Sequence, residues 1–101
     1  MRIERSAGNV FRNLGFDPKE AESLRLRAEL MIEIRRLIKA RKLTQASAAT
    51  LFGVTQPRVS DLVRGKIDLF SIDTLIEMLA RAGMRVELHL AQAGRRRRRA
   101  A

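Results

Sequence analysis

The sequence predicts an all-α fold in the main: a bundle of four to five helices followed by one C-terminal β-strand. Three observations predict it. Apolar residues recur every three or four positions from Leu24 to Ile38, the spacing of one helical stripe. Four capping residues, Asp17, Thr44, Thr55 and Ser71, each stand at the head of a further helical stretch. After Gly83 the period drops to two, as a half-buried strand requires. At 101 residues there is room for one such domain.

Met1 to Phe16 lacks helical periodicity. Gly8, Asn9, Asn13 and Gly15 interrupt it, while Val10, Phe11, Leu14 and Phe16 supply apolar anchors. Residues 1–16 are therefore read as an arm, with the domain proper over 17–90. Asp17-Pro18-Lys19-Glu20 starts the first helix: Asp17 caps, Pro18 suits the first position, and Glu20 stands three residues after the cap. This helix runs to about Arg41, with Leu24, Ala28, Met31, Ile34 and Ile38 inward and Leu30 and Leu37 widening the stripe. Its basic last turns complement the helix dipole. Thr44 caps a short second helix, Gln45 to Phe52, which Gly53 ends. Thr55 caps a third, Gln56 to about Arg64, with Pro57 in its first turn and Gly65 beyond its end. Ser71 caps a fourth, Ile72 to Ala82, with Leu75, Ile76, Leu79 and Ala82 as its apolar face. Met84, Val86, Leu88 and Leu90 then alternate with Arg85, Glu87 and His89, giving a strand over 84–90. Residues 91–101 read as a disordered basic tail, because the arginines 95–99 repel one another.

The formal net charge is +10, and it is unevenly placed. Arg35 to Lys66 holds eight basic residues against the single acid Asp61, a net +7. Arg95 to Arg99 adds +5, and the remainder is slightly acidic at −2. Such a chain favours polyanions. There is no cysteine and only one histidine, which excludes disulfides, thiolate metal sites and multi-histidine metal sites. No cofactor and no catalysis are expected: no nucleophile–base pair, carboxylate site or glycine-rich phosphate loop is visible. Met1 to Val10 has no apolar core of signal-peptide length, and no segment approaches the roughly 20 apolar residues of a membrane span, so a cytoplasmic, nucleoid-associated protein without a membrane partner is expected.

The informative stretch is Gln45 to Arg64, two short helices joined by a glycine turn. With Gln45 as position one, Ala49 is fifth, Gly53 ninth, Val54 tenth, Val59 fifteenth and Leu62 eighteenth. A small fifth residue lets the helices approach, the ninth must accept the turn, and the fifteenth and eighteenth face inward together. This is the arrangement of a helix-turn-helix, whose second helix enters the major groove.

Here the chain resembles the Xre/Cro, or lambda-repressor-like, helix-turn-helix family, from Met31 to about Ala82. It looks most similar to HigA-type antitoxin regulators in Asn9-Val10-Phe11, Leu14-Gly15-Phe16, Leu43-Thr44-Gln45, Gly53 to Ser60 and Arg64-Gly65-Lys66. In that family a glutamine opens each motif helix, and Gln45 and Gln56 match. The resemblance implies that Gln45 contacts a phosphate and braces Gln56, which pairs with adenine N6 and N7. Arg58 is the candidate for guanine or a phosphate, and Ser60 and Asp61 are adjacent base-reading candidates. Thr55, Arg41, Lys42, Arg64 and Lys66 suit phosphate. Pro57 fixes the first turn of its helix and removes one donor.

A lone strand needs a partner edge. Three are open: the same strand of a second subunit, Arg2-Ile3-Glu4-Arg5, or another protein such as a toxin. The homodimer is favoured, since it pairs two reading heads on adjacent half-sites. Met84, Val86, Leu88 and Leu90 would form its apolar face, with His89 exposed on the other. The expected function is a sequence-specific regulator of double-stranded operator DNA, dimeric and repressing, and by resemblance an antitoxin with a RelE/HigB-like toxin. The competing readings are an interaction module that mainly neutralises a toxin, a stand-alone regulator, and a basic RNA-binding protein. The last has few stacking platforms, with 4% aromatic residues and no Trp or Tyr.

Overall fold

A computed structural model of the chain describes residue 15 and residues 17–92. The rest of the expected arm (1–16), and the basic tail from residue 93 on, lie outside the described residues. Four α-helices follow in order: α1 (Pro18–Ala40), α2 (Gln45–Phe52), α3 (Gln56–Val63) and α4 (Ile72–Arg81), with a 3-10 turn (Ile67–Leu69) before α4. That turn is the one helical element without a sequence signal.

All four expected caps form. Asp17 Oδ1 accepts the Glu20 N–H at 2.9 Å. Thr44 Oγ1 accepts the Ser47 N–H at 3.0 Å while the Thr44 N–H donates to Ser47 Oγ at 2.9 Å, a reciprocal capping box. Thr55 Oγ1 accepts the Arg58 N–H at 3.3 Å, and Ser71 Oγ the Thr74 N–H at 3.1 Å. Each cap satisfies an orphan donor, at about 1 kcal/mol. The first helix ends at a lysine rather than a glycine. Lys42 takes a left-handed φ of 53°, which lets the Leu43 N–H reach back to the Ile38 carbonyl at 2.9 Å.

The core is one cluster to which every helix contributes: Met31 and Ile34 from α1, Ala48, Ala49 and Phe52 from α2, Val59 and Leu62 from α3, and Leu75, Met78 and Leu79 from α4. Phe70 and Ala82 complete it, and no charged or polar residue is buried among the described residues. Two expectations about faces change. On α1, Ala28 and Ile38 are half-buried while Ala21 is fully buried. On α4, Ile76 is exposed and Met78 is buried instead. Leu75, Met78, Leu79 and Ala82 stand at i, i+3, i+4 and i+7, a single stripe from which Ile76 is turned by about 100°.

The expected strand over 84–90 is not formed, and no strand occurs among the described residues. After α4 the Met84 N–H closes the helix end on the Leu79 carbonyl at 2.9 Å. Beyond it only Val86 packs on the core, while Met84, Leu88 and Leu90 are exposed. The alternation is present, but the described chain offers no second backbone edge to pair with, and a strand cannot form by itself.

Candidate nucleic-acid interface

The helix-turn-helix geometry follows from a few packing residues. Ala49 on α2 and Val59 and Leu62 on α3 are buried against one another's helices, with Val54 from the turn packed beside them. Gly53 ends α2 at a left-handed φ of 71°. A Cβ there would also stand 2.5 Å from Cδ and Nε of Arg81, whose side chain crosses the turn from α4. The left-handed φ is what calls for glycine in the turn, and Arg81 is a neighbour the sequence did not announce.

Burying Val59 and Leu62 determines what α3 shows outside. At about 100° per residue, Pro57, Ser60, Asp61 and Arg64 fall on the opposite side, with Gln56 at its margin. Gln56, Pro57 and Arg64 are exposed, and Ser60 and Asp61 half-buried. Gln45 and Gln56 each occupy the first position of their helix and are exposed. Neither α2 nor α3 has an acid in its first turn, so both helix starts keep their positive dipole ends unopposed.

The charged candidates divide. The Arg58 guanidinium lies over the Phe70 ring, 4.4 Å from its centroid, rather than reaching outward from α3. Asp61 Oδ1 stands 3.9 Å from Lys66 Nζ, so these two partly neutralise each other. Arg41 turns away from the motif and donates to the Ala82 carbonyl at 3.5 Å, at the C-terminal end of α4. Thr55 uses its hydroxyl as the α3 cap. Lys42 and Arg64 are exposed, and Lys42 shares a cleft with Lys39, Arg35 and Arg36 along α1. Arg35 and Lys39, counted in the basic stretch but not among the phosphate candidates, are thus cations near the motif.

His89 is exposed, and no group of acidic residues, histidines or cysteines that could hold a metal occurs among the described residues. No described helix is long and apolar enough to cross a membrane.

A helix-turn-helix domain family matches residues 10–91, most of the chain. The chain belongs to this helix-turn-helix family. A solved structure designated an XRE family transcriptional regulator is similar to it, with a TM-score of 0.69 and 31% identity over 77% of this chain and 88% of that one. No curated protein matched. Membership of the helix-turn-helix family accounts for the small Ala49, the left-handed Gly53 and the paired Val59 and Leu62 as one construction, and it extends past the motif through α4 to the segment around Val86.

Proposed function

We propose that this helix-turn-helix protein is a sequence-specific, DNA-binding transcriptional regulator that works as a homodimer and represses its operator. The observation that carries the reading is the outer face of α3. It opens on an exposed Gln56 and closes on an exposed Arg64, with Ser60 and Asp61 between. It lies in the stretch that holds +7 of the net charge, and its packed face is fixed by Val59 and Leu62. A helix so presented fits a major groove, where Gln56 meets adenine and the flanking side chains meet neighbouring base edges. Gln45, Thr55, Lys42, Arg64 and Lys66 supply phosphate contacts, which set register rather than sequence. Arg58 joins the readers on leaving the Phe70 ring. Arg41 contributes to phosphate only on leaving the Ala82 carbonyl.

The dimer is read from the segment after α4, which pairs with no strand among the described residues. Val86 anchors it to the core, while Met84, Leu88 and Leu90 remain exposed, and the proposed partner for its backbone is the same segment of a second subunit. By its resemblance to HigA-type regulators the protein is the antitoxin of a RelE/HigB-like toxin. The other readings are a module whose main task is toxin neutralisation and a regulator with no toxin.

Fluorescence anisotropy with the protein's own promoter DNA tests the regulator. The expected result is preference for promoter over unrelated duplex, lost in Gln56→Ala while binding to unrelated duplex persists. Equal affinity of the wild type for both duplexes overturns sequence-specific reading. Co-purification with the product of an adjacent gene tests the antitoxin role.

A further inference from the structure

The cleft of about 630 Å³ between the end of α1 and the end of α3 has a composition that phosphate binding does not explain. Its floor is aliphatic: Ile32 and Ile38 from α1, Leu43 from the following turn, and Val63 from α3. Ile32 is 42% exposed and Val63 36%, so this floor is open to solvent. Its rim is cationic, with Arg35, Arg36, Lys39 and Lys42, and no acid lines it. Arg36 is held by Glu33 at 3.0 Å, and Arg35, Lys39 and Lys42 have no ion pair among the described residues. Ile32, Arg35, Arg36 and Lys39 stand at i, i+3, i+4 and i+7 on α1, one straight stripe of about 10 Å.

We infer that this cleft docks an acidic amphipathic helix of a partner protein. A phosphate backbone needs the cations but gains nothing from four aliphatic side chains, whereas a helix with one apolar and one acidic face uses both. The two ends of this chain do not complement it. Residues 1–16 hold three arginines against one glutamate, and residues 95–99 are all arginine. A partner of opposite charge is what the rim attracts. The cleft includes Lys42, a proposed phosphate contact, and Val63 of α3, the proposed reading helix, so a docked helix and a DNA duplex exclude each other. That exclusion rests on the DNA-binding reading; the docking itself does not.

The test uses the full chain with methyl-labelled Ile, Leu and Val. The probe is a designed peptide of about four helical turns, leucine on one face and glutamate on the other. The control is the same composition scrambled. Methyl shifts that saturate at Ile32, Ile38, Leu43 and Val63 with the amphipathic peptide, but not with the scrambled one, support docking. Ile32→Gln, an exposed site outside the proposed DNA contacts, is expected to weaken the peptide about tenfold and to leave duplex binding unchanged. Equal binding of the scrambled peptide, or shifts away from the cleft, overturns the inference. Peptide that displaces a labelled duplex supports exclusion; both bound at once overturns it. If groove shifts occur but no duplex binds the wild type, the DNA reading fails and the docking site stands.

Discussion

Two residues take the same backbone conformation with opposite consequences. Gly53 and Lys42 both lie in the left-handed region, at φ 71° and 53°. Glycine enters it freely, whereas an L side chain is strained there by about 1 kcal/mol or more. Gly53→Ala is therefore expected to destabilise the protein by about 1–2 kcal/mol, lowering the melting temperature by roughly 4–8 °C per kcal/mol. The new Cβ also meets Arg81, but a long side chain can swing aside and a φ angle cannot. Adding Arg81→Ala to Gly53→Ala should thus restore little stability; full restoration in thermal melts would show that the clash, not the turn, sets the cost. Lys42→Gly should do the reverse, raising stability by about 1 kcal/mol while weakening DNA binding through the lost cation. Anisotropy and thermal denaturation on one preparation separate the two effects.

At the scale of elements, helix starts were legible because each has a local cause. Asp17, Thr44, Thr55 and Ser71 cap where the chain itself supplies both donor and acceptor within three residues. Thr55→Ala is expected to cost about 1 kcal/mol and to loosen the first turn of α3, where Gln56 sits. Features set by distant partners were not legible. Arg58 rests on Phe70, Arg41 on the end of α4, and the 84–90 segment finds no edge to pair with among the described residues, because each outcome depends on residues far away in sequence. Periodicity located the stripe of α4 but not its centre, since Ile76 and Met78 are equally apolar and only packing distinguishes them. On α1, Arg25 bridges Glu22 and Glu29, and its guanidinium is pushed up chiefly by the hydrogen bond with Glu22. Glu29 is pushed above the usual carboxylate range by burial, despite the neighbouring Arg25. The folded chain then holds that proton more tightly than the unfolded chain does. Stability from this site is present at low pH and falls as pH rises through the carboxylate range. The stability of wild type relative to Glu29→Gln should decline across that window in urea titrations. A rise would mean that Arg25 outweighs burial.

For the whole molecule, one domain carries one copy of α3, and the proposed homodimer would set two copies on adjacent half-sites. Met84, Leu88 and Leu90 are exposed apolar residues, and the proposed pairing would be built from them. Leu88→Lys with Leu90→Lys places like charges on both sides of a twofold contact and is expected to give monomers in sedimentation analysis. Its fold should persist, because neither leucine packs on the core. DNA affinity should fall steeply in the same variant, since two linked heads become two independent ones. The arginines 95–99 act in another way. They add +5 to a chain whose motif stretch already carries +7. Each arginine that contacts phosphate steepens the dependence of log affinity on log salt by about 0.9. Deleting 95–99 is therefore expected to flatten that slope by up to about 4–5 and to weaken promoter and unrelated duplex alike. The ratio between the two duplexes should stay constant, because the proposed base reading lies with α3. A change in that ratio would assign part of the specificity to the tail.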